Sequence, residues 1–251
     1  MSNKTPKILF LTILTLFLIG IFLNPLTALL GSIISSGVAQ KTVIAYPTFV
    51  EREIAKEQST VIPYAYLPSC AVNGIISVED KRFYYTNGID IVAVARVLLK
   101  SFVNDHQDHG GSTITQQLAR RIISEPRHVA NPVLHAHGII RVLYYTFIVN
   151  TVFSKHEILS LYLNSVYYGR GATGIAQAAR TYFHTDLPHL TFGQCVYLTG
   201  LPQAPSVFGN NPGGKRAMDR YRHVVGTMLR NGYISAKTAD ALSQEKLFIQ
   251  K

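Results

Sequence analysis

The chain of 251 residues contains no tryptophan, two cysteines, three methionines and only 14 acidic residues. Two cysteines exclude a disulfide-rich scaffold. Cys70 and Cys195 each lie in an apolar stretch, "LPSCAV" and "GQCVYL". That context favours two buried small hydrophobes, and a single disulfide cannot be read from two positions. The 14 acids face 24 Lys and Arg, leaving a formal charge of +10 and a pI near 9.6. Such a balance suits an anionic partner: nucleic acid, a membrane surface or a phosphorylated substrate. No recognisable nucleic-acid module accompanies the charge, so anionic lipid is the better reading and nucleic acid is not expected. Internal repeats are absent. So is any apolar–polar alternation long enough for a sheet-based core.

What is present begins with an apolar run. No charged residue occurs from Ile8 to Val38. A bilayer core takes ~20 apolar residues as a helix, so the run is long enough to span. Lys4 and Lys7 precede it, which places the N-terminus inside. Residues 1–38 are therefore expected to be a cytoplasmic stub and transmembrane anchor. A cleaved signal peptide competes, since "SGVAQ" offers small residues at a cleavage site, but the run exceeds an h-region of ~7–15 residues. Residues 39–66 are expected to form an extended linker, and residues 67–251 a mostly helical domain. Helix signals recur there. Ser154 with Glu157, and Thr191 with Gln194, have capping-box spacing. Ile158, Leu159, Tyr162, Leu163 and Val166 fall on one face of a helix expected to stop at Gly169. Asp90 is the expected cap of "IDIVAVARVLLKSF", and "AMDRYRHVVGTMLRNGYIS" forms an amphipathic helix ending near Asn231–Gly232.

Two stretches carry chemistry. In "GGSTITQQLAR", Gly110 and Gly111 allow close backbone approach. Thr113 and Gln116 can box a helix start, whose free N–H groups favour an anion. Arg120 and Arg121 lie two turns on. The set suits an anionic, hydroxyl-rich ligand such as a sugar phosphate; an ordinary capped helix is the bland alternative. In "SVEDKRFYYTNGID", Glu79 and Asp80 follow an apolar run. A carboxylate beside apolar surface has a raised pKa and can serve as a general acid or base. The alternative is that Asp80 caps a turn while Glu79 pairs with Lys81 or Arg82.

Together these stretches resemble the peptidoglycan glycosyltransferases, the monofunctional cell-wall transglycosylases and the transglycosylase domains of class A penicillin-binding proteins. "EDKRFYYTNGID" is similar to E-D-x-x-F-x-x-H-x-G-x-D. "GGSTITQQLAR" is similar to G-x-S-T-I-T-Q-Q-L-x-K. "SKHEILSLYLNSVYYGRGATGIAQAARTYF" resembles the K-x-x-I-L-x-x-Y-L-N segment and the glycine-rich stretch after it. "GLPQAPSVFGNNP" and "RYRHVVGTMLRNGYI" resemble the last two motifs, so the likeness runs from about Leu67 to Ile234. It implies a lysozyme-like glycosyltransferase domain held on the outer face of the cell membrane. It also implies lipid II and the growing glycan strand as substrates, joined by inverting β-1,4 transfer. By resemblance Glu79 is the general base and Phe83 packs beside it. Asp80, Ser112, Thr113, Gln116, Gln117, Arg120 and Asn164 bind substrate, with Arg120 standing for the family's Lys and keeping its charge. Partners on this reading are the membrane, penicillin-binding transpeptidases and division proteins. No cofactor is firmly implied; a divalent cation, Mg or Mn, is the one candidate.

The sequence departs from the family at two places. Thr86 stands where the pattern has His. The third motif, R-K-x-x-E, falls on Gly138, Ile139 and Val142, and no Asp or Glu occurs from Pro126 to His156. Losing that acid weakens leaving-group stabilisation, where electrostatics carries much of the barrier. Arg141 or Glu125 could supply a relocated partner, and Val142→Glu is expected to raise the rate. A catalytically weakened homologue that binds precursor as a scaffold is the alternative, and a lysozyme-like hydrolase is a third reading. "GIIRVLYYTFIVNTVF" is too short to span a bilayer comfortably; it reads as a buried core helix, or as a membrane-surface helix. "GRGATG" follows a helix, not a strand, so a dinucleotide site is not expected. "DHQDHGG" reads as a polar loop rather than a metal site.

Overall fold

The computed structural model describes residues 41–48, 61–91, 111–124 and 132–248, with backbone only for 132–137. The apolar run, the Asp90-capped segment beyond Ile91, Glu125 and the "DHQDHGG" loop as far as Gly110 lie outside these residues. Among the described residues no helix is long and apolar enough to cross a membrane.

The architecture is mostly helical, as the absence of alternation required. In chain order come α1 (Ser69–Glu79), α2 (Ile114–Ile122), α3 (Pro132–Val152) and α4 (Lys155–Ser165). A short antiparallel hairpin is next, β1 (Tyr167–Gly169) with β2 (Ala172–Thr173). Then come α5 (Ile175–Phe183), α6 (Phe192–Gly200), α7 (Pro205–Gly209), α8 (Lys215–Arg230) and α9 (Ala236–Gln244). Three of these helices start with a full capping box: Thr113 with Gln116, Ser154 with Glu157, and Thr191 with Gln194. In each, the hydroxyl accepts the third backbone N–H while the third side chain accepts the cap's own N–H, so two orphan donors are satisfied at once. α8 ends at Arg230 with Asn231 as its cap, where the amphipathic pattern runs out.

Two helix groups matter for the site. In the first, α1, α6 and α8 pack mutually. Ile75, Ile76, Val196, Leu198, Val224 and Met228 are no more than 1% exposed on these three helices. In the second, α2 packs against α3 and α4, burying Ile114 and Leu118 against helices that contribute Val149, Ile158 and Tyr162. Each fully buried apolar side chain contributes about 1.5–3 kcal/mol. With no tryptophan, the largest fully buried side chains are Tyr162, Tyr168, Tyr197, Tyr221 and Phe83.

Residues 41–48 are helical, not extended; Val43 and Tyr46, three apart on one helical face, are both buried, and packing overrides the β-branched composition. The helix from Lys155 ends at Ser165, four residues before Gly169, because Tyr167–Gly169 pairs with Ala172–Thr173. Cys70 and Cys195 are buried as expected, yet they are also joined: α1 and α6 pack with their Cα atoms 6.0 Å apart, and the disulfide closes 125 residues of chain. From Gly138 onward, α3 is buried along one face. Val142, Thr146, Ile148 and Val149 are buried, while Ile139, Ile140 and Phe147 are 41–62% exposed.

Candidate active site

Glu79 is the last residue of α1, and its carboxylate is 12% exposed. Its Oε2 accepts from Gln117 Nε2 at 2.8 Å. Its Oε1 lies 3.4 Å from an Arg220 guanidinium nitrogen. The amide oxygen of Gln117 accepts from the Tyr162 hydroxyl at 3.0 Å. Four elements thus meet at one carboxylate: α1 supplies it, α2 supplies Gln117, α4 supplies Tyr162 and α8 supplies Arg220. The two stretches that the sequence singled out are adjacent in space, and the acid is turned away from bulk water.

Asp80 comes directly after but has a different role. It is 6% exposed, and its Oδ2 accepts from the Ile114 backbone N–H at 3.2 Å, the first residue of α2. Burial pushes its pKa up to about 6. The Ile114 hydrogen bond opposes that, the Asp90 charge adds to it, and the Lys155 charge opposes it. Asp80 thereby fixes the start of α2 relative to the end of α1. Phe83 is fully buried, and the Lys155 ammonium sits 4.7 Å from its ring centre, a cation–π contact. Lys155 donates to the Thr86 carbonyl at 2.6 Å and to Asn150 Oδ1 at 3.0 Å. Its pKa is lowered by burial, with Asp80 opposing. Thr86, where the resembling pattern has His, contributes its backbone oxygen here. Arg82 pairs with Asp90 through Nε at 2.9 Å.

The remaining predicted residues separate by environment. Thr113 is 2% exposed; its hydroxyl donates to the Gly88 carbonyl at 2.5 Å and accepts from Gln116 N. Gly88 has φ +85°, and a Cβ there would lie 2.8 Å from Thr146 Cγ2, so only glycine fits between α2 and α3. Gln116 is 9% exposed and committed to the cap. Asn164 is 1% exposed; its amide donates to the carbonyls of Ile62 and Ser160 and accepts from Ile62 N, which holds the entry segment onto α4. Thr113, Gln116 and Asn164 therefore present little to a ligand. Ser112 is exposed at the mouth of α2, Arg120 is half-buried two turns on, and Arg141 is exposed on α3. Arg121 is directed elsewhere, donating to the Ser165 carbonyl at the end of α4.

At the third motif, Gly138 is buried, Ile139 is 41% exposed and Val142 is 4% exposed. No acid is found at Val142, and the position is closed to solvent. Among the described residues no three His, Cys, Asp or Glu gather as a metal site. Sequence reasoning missed Tyr162, Lys155 and Arg220 as parts of the site. Each lay inside a quoted motif, but only the packing of α4 and α8 beside α1 shows where its polar end goes.

The transglycosylase family's sequence profile matches residues 48–229. The chain is 33% identical over 189 residues to penicillin-binding protein 1A of Rickettsia typhi, covering 74% of this chain and 23% of that one. It is 36% identical over 188 residues to a protein of Cupriavidus necator provisionally named a transglycosylase, covering 74% and 78%. A crystal structure of penicillin-binding protein 1A from Haemophilus influenzae is 41% identical over 38% of this chain and 14% of that chain, with a TM-score of 0.35, too low to bear on the fold. The chain spans about a quarter of the length of its penicillin-binding relatives. With the profile matched across most of the chain, and with a relative of similar length covered over most of itself, this chain belongs to the transglycosylase family.

Proposed function

We propose that this chain is a peptidoglycan glycosyltransferase that polymerises lipid II into β-1,4 glycan strands. One observation carries the reading: Glu79, shielded from bulk water, is hydrogen-bonded to the "STITQQLAR" segment through Gln117. Glu79 Oε accepts the proton of the acceptor's 4-hydroxyl as that oxygen attacks the anomeric carbon of the growing strand. The bond from that carbon to the pyrophosphate oxygen breaks with inversion, and the lipid diphosphate leaves. Ser112 at the open start of α2 and Arg120 two turns along it are the groups for sugar and diphosphate. Arg141, exposed on α3, is a further cation for the leaving group. Thr113, Gln116, Asp80 and Asn164 support these groups from beneath.

The lysozyme-like arrangement and the membrane location rest on the resemblance. The apolar run before Val38 supplies the anchor, and the domain lies on the outer face. The relatives' names place penicillin-binding proteins in this family, so transpeptidases of that class and division proteins are the proposed partners. Val142 is apolar and closed, so the third motif offers no carboxylate to a divalent cation, and among the described residues no three His, Cys, Asp or Glu gather. No step here is routed through a metal.

The test is a gel assay of glycan chains made by the full-length protein from labelled lipid II. Glu79→Gln is expected to lower chain formation by about 10²–10⁴-fold, the usual contribution of a general base. Wild-type rates in that variant would reject the assignment. Shortening of preformed glycan instead would identify a hydrolase, and binding of lipid II without product a scaffold.

A further inference from the structure

Arg220 joins three helices at one point. Its stem rises from α8. Its Nε donates to the carbonyl of Gly200 at 3.0 Å, the last residue of α6, and its terminal nitrogen reaches Glu79 at the end of α1. The side chain is 9% exposed. Burial lowers its pKa, while the charges of Glu79 and Tyr162 raise it. A carbonyl at a helix C-terminus is unpaired within its own helix and sits at the negative end of the dipole, so it is a natural seat for a guanidinium. Gly200 also makes the room. A Cβ there would fall 3.1 Å from Arg220 Cγ and 3.2 Å from Val224 Cγ2. The disulfide ties α1, which carries the carboxylate, to α6, which carries the carbonyl.

The other carboxylate oxygen is held by a parallel device. A carboxylate only accepts, so Gln117 must turn its NH2 toward Glu79. Its oxygen then faces Tyr162, which must donate. Tyr162 is fully buried on α4 and cannot turn away to water. Two donors therefore fix the plane of the carboxylate, one on each oxygen. They occupy two of its roughly four lone-pair sites, leaving others to accept a proton. The Arg220 contact at 3.4 Å is an ion pair longer than a tight hydrogen bond, as apo catalytic contacts often are.

We infer that Arg220 and Tyr162 are positioning residues for Glu79, Arg220 acting directly and Tyr162 through Gln117, and that Gly200 is small so that Arg220 can occupy its place. Gln117 accordingly serves the base rather than the sugar. The inference rests on the reading of Glu79 as the base. A lysine at 220 keeps the charge but lacks the planar fork that spans two acceptors.

Steady-state polymerisation of lipid II by the full chain separates the outcomes. Arg220→Ala should lower kcat by about 100-fold, the cost of a misplaced catalytic group, with KM changed less than about threefold. Millimolar guanidinium should restore part of that kcat in Arg220→Ala and none in Glu79→Gln. Arg220→Lys should fall between Arg220→Ala and wild type. Tyr162→Phe, which removes a single hydroxyl, should lower kcat by roughly 3–10-fold at unchanged KM, and it decides the matter if Arg220→Ala does not fold. Wild-type kcat in Tyr162→Phe, and in Arg220→Ala where that variant folds, alongside an inactive Glu79→Gln, overturns this inference and leaves the base assignment standing. So does a loss in Arg220→Ala expressed wholly in KM, or one that guanidinium leaves untouched. An active Glu79→Gln rejects the base assignment itself, and this inference with it.

Discussion

Asp80 should make the protein less stable as the pH rises through the mildly acidic range, and Asp80→Asn should remove that dependence. The carboxyl is 6% exposed, and burial raises its pKa from an ordinary 3.8 to about 6. In the folded state it therefore holds its proton where the unfolded chain has released it. The stability it contributes is fully present below about pH 3.8 and is lost as the pH climbs through about 6. The gap corresponds to about 3 kcal/mol at pH 7, a large part of a typical domain's stability. In the variant, the amide oxygen could still accept the Ile114 N–H, so the start of α2 keeps its partner. The substitution removes both the desolvated charge and the repulsion from Asp90 that adds to the shift. Urea unfolding of wild type and Asp80→Asn at about pH 4, 5, 6 and 7 measures the difference. The two should converge near pH 4, and the variant should lead by about 3 kcal/mol at pH 7, roughly 6–12 °C in Tm for a domain of this size. A difference that is flat across the range would refute the reasoning, as would one in which wild type gains on the variant with rising pH. A stabilised Asp80→Asn with impaired polymerisation would show an acid retained beside Glu79 for function at the expense of stability.

Replacing Cys70 and Cys195 together by alanine frees a 125-residue stretch in the unfolded chain. A loss of about 2–4 kcal/mol is expected, read as a fall of roughly 5–15 °C in Tm by calorimetry, and an unchanged Tm would mean the bond does not form. Val142→Glu, which the sequence alone suggested would raise the rate, now carries the opposite expectation. The position is 4% exposed, so an unpaired carboxylate there should cost about 3 kcal/mol or more. Chain synthesis should not increase; a faster enzyme with undiminished Tm would show that the site opens to substrate after all.

Much of the fold was legible because its signals are local. Capping boxes depend on a hydroxyl and an amide or acid three residues apart, and all three that were read or implied in the sequence are present. What failed was set by distant contacts. The pairing of Cys70 with Cys195 depends on α1 meeting α6, and nothing near either cysteine records that. The half-exposed face of α3 was obscured because its apolar residues occur on both sides of the helix, so periodicity gives no direction. The helicity of 41–48 was hidden by β-branched residues whose preference yields to the burial of Val43 and Tyr46.

The adjacent glutamines illustrate where reading a motif stops. The resemblance assigns Gln116 and Gln117 alike to substrate, although Gln116 alone also has capping-box spacing from Thr113. Successive residues on a helix differ by about 100° in direction, and that angle divides their work. Gln116, third in from the Thr113 cap, folds back and accepts the cap's N–H. Gln117 points away from the cap, toward the end of α1, and meets Glu79. One glutamine builds the helix start and the other orients the acid, so neither has the freedom of a surface ligand-binding amide. Exchange of either for glutamate should then have unlike effects. At 116 a carboxylate can still accept the Thr113 N–H and complete the box. At 117 it would face the carboxylate of Glu79 across 2.8 Å with no donor between them, a repulsion that must displace the acid or bind a proton. Polymerisation should survive Gln116→Glu and fail in Gln117→Glu, and equal loss in both would mean that the pair acts on substrate after all.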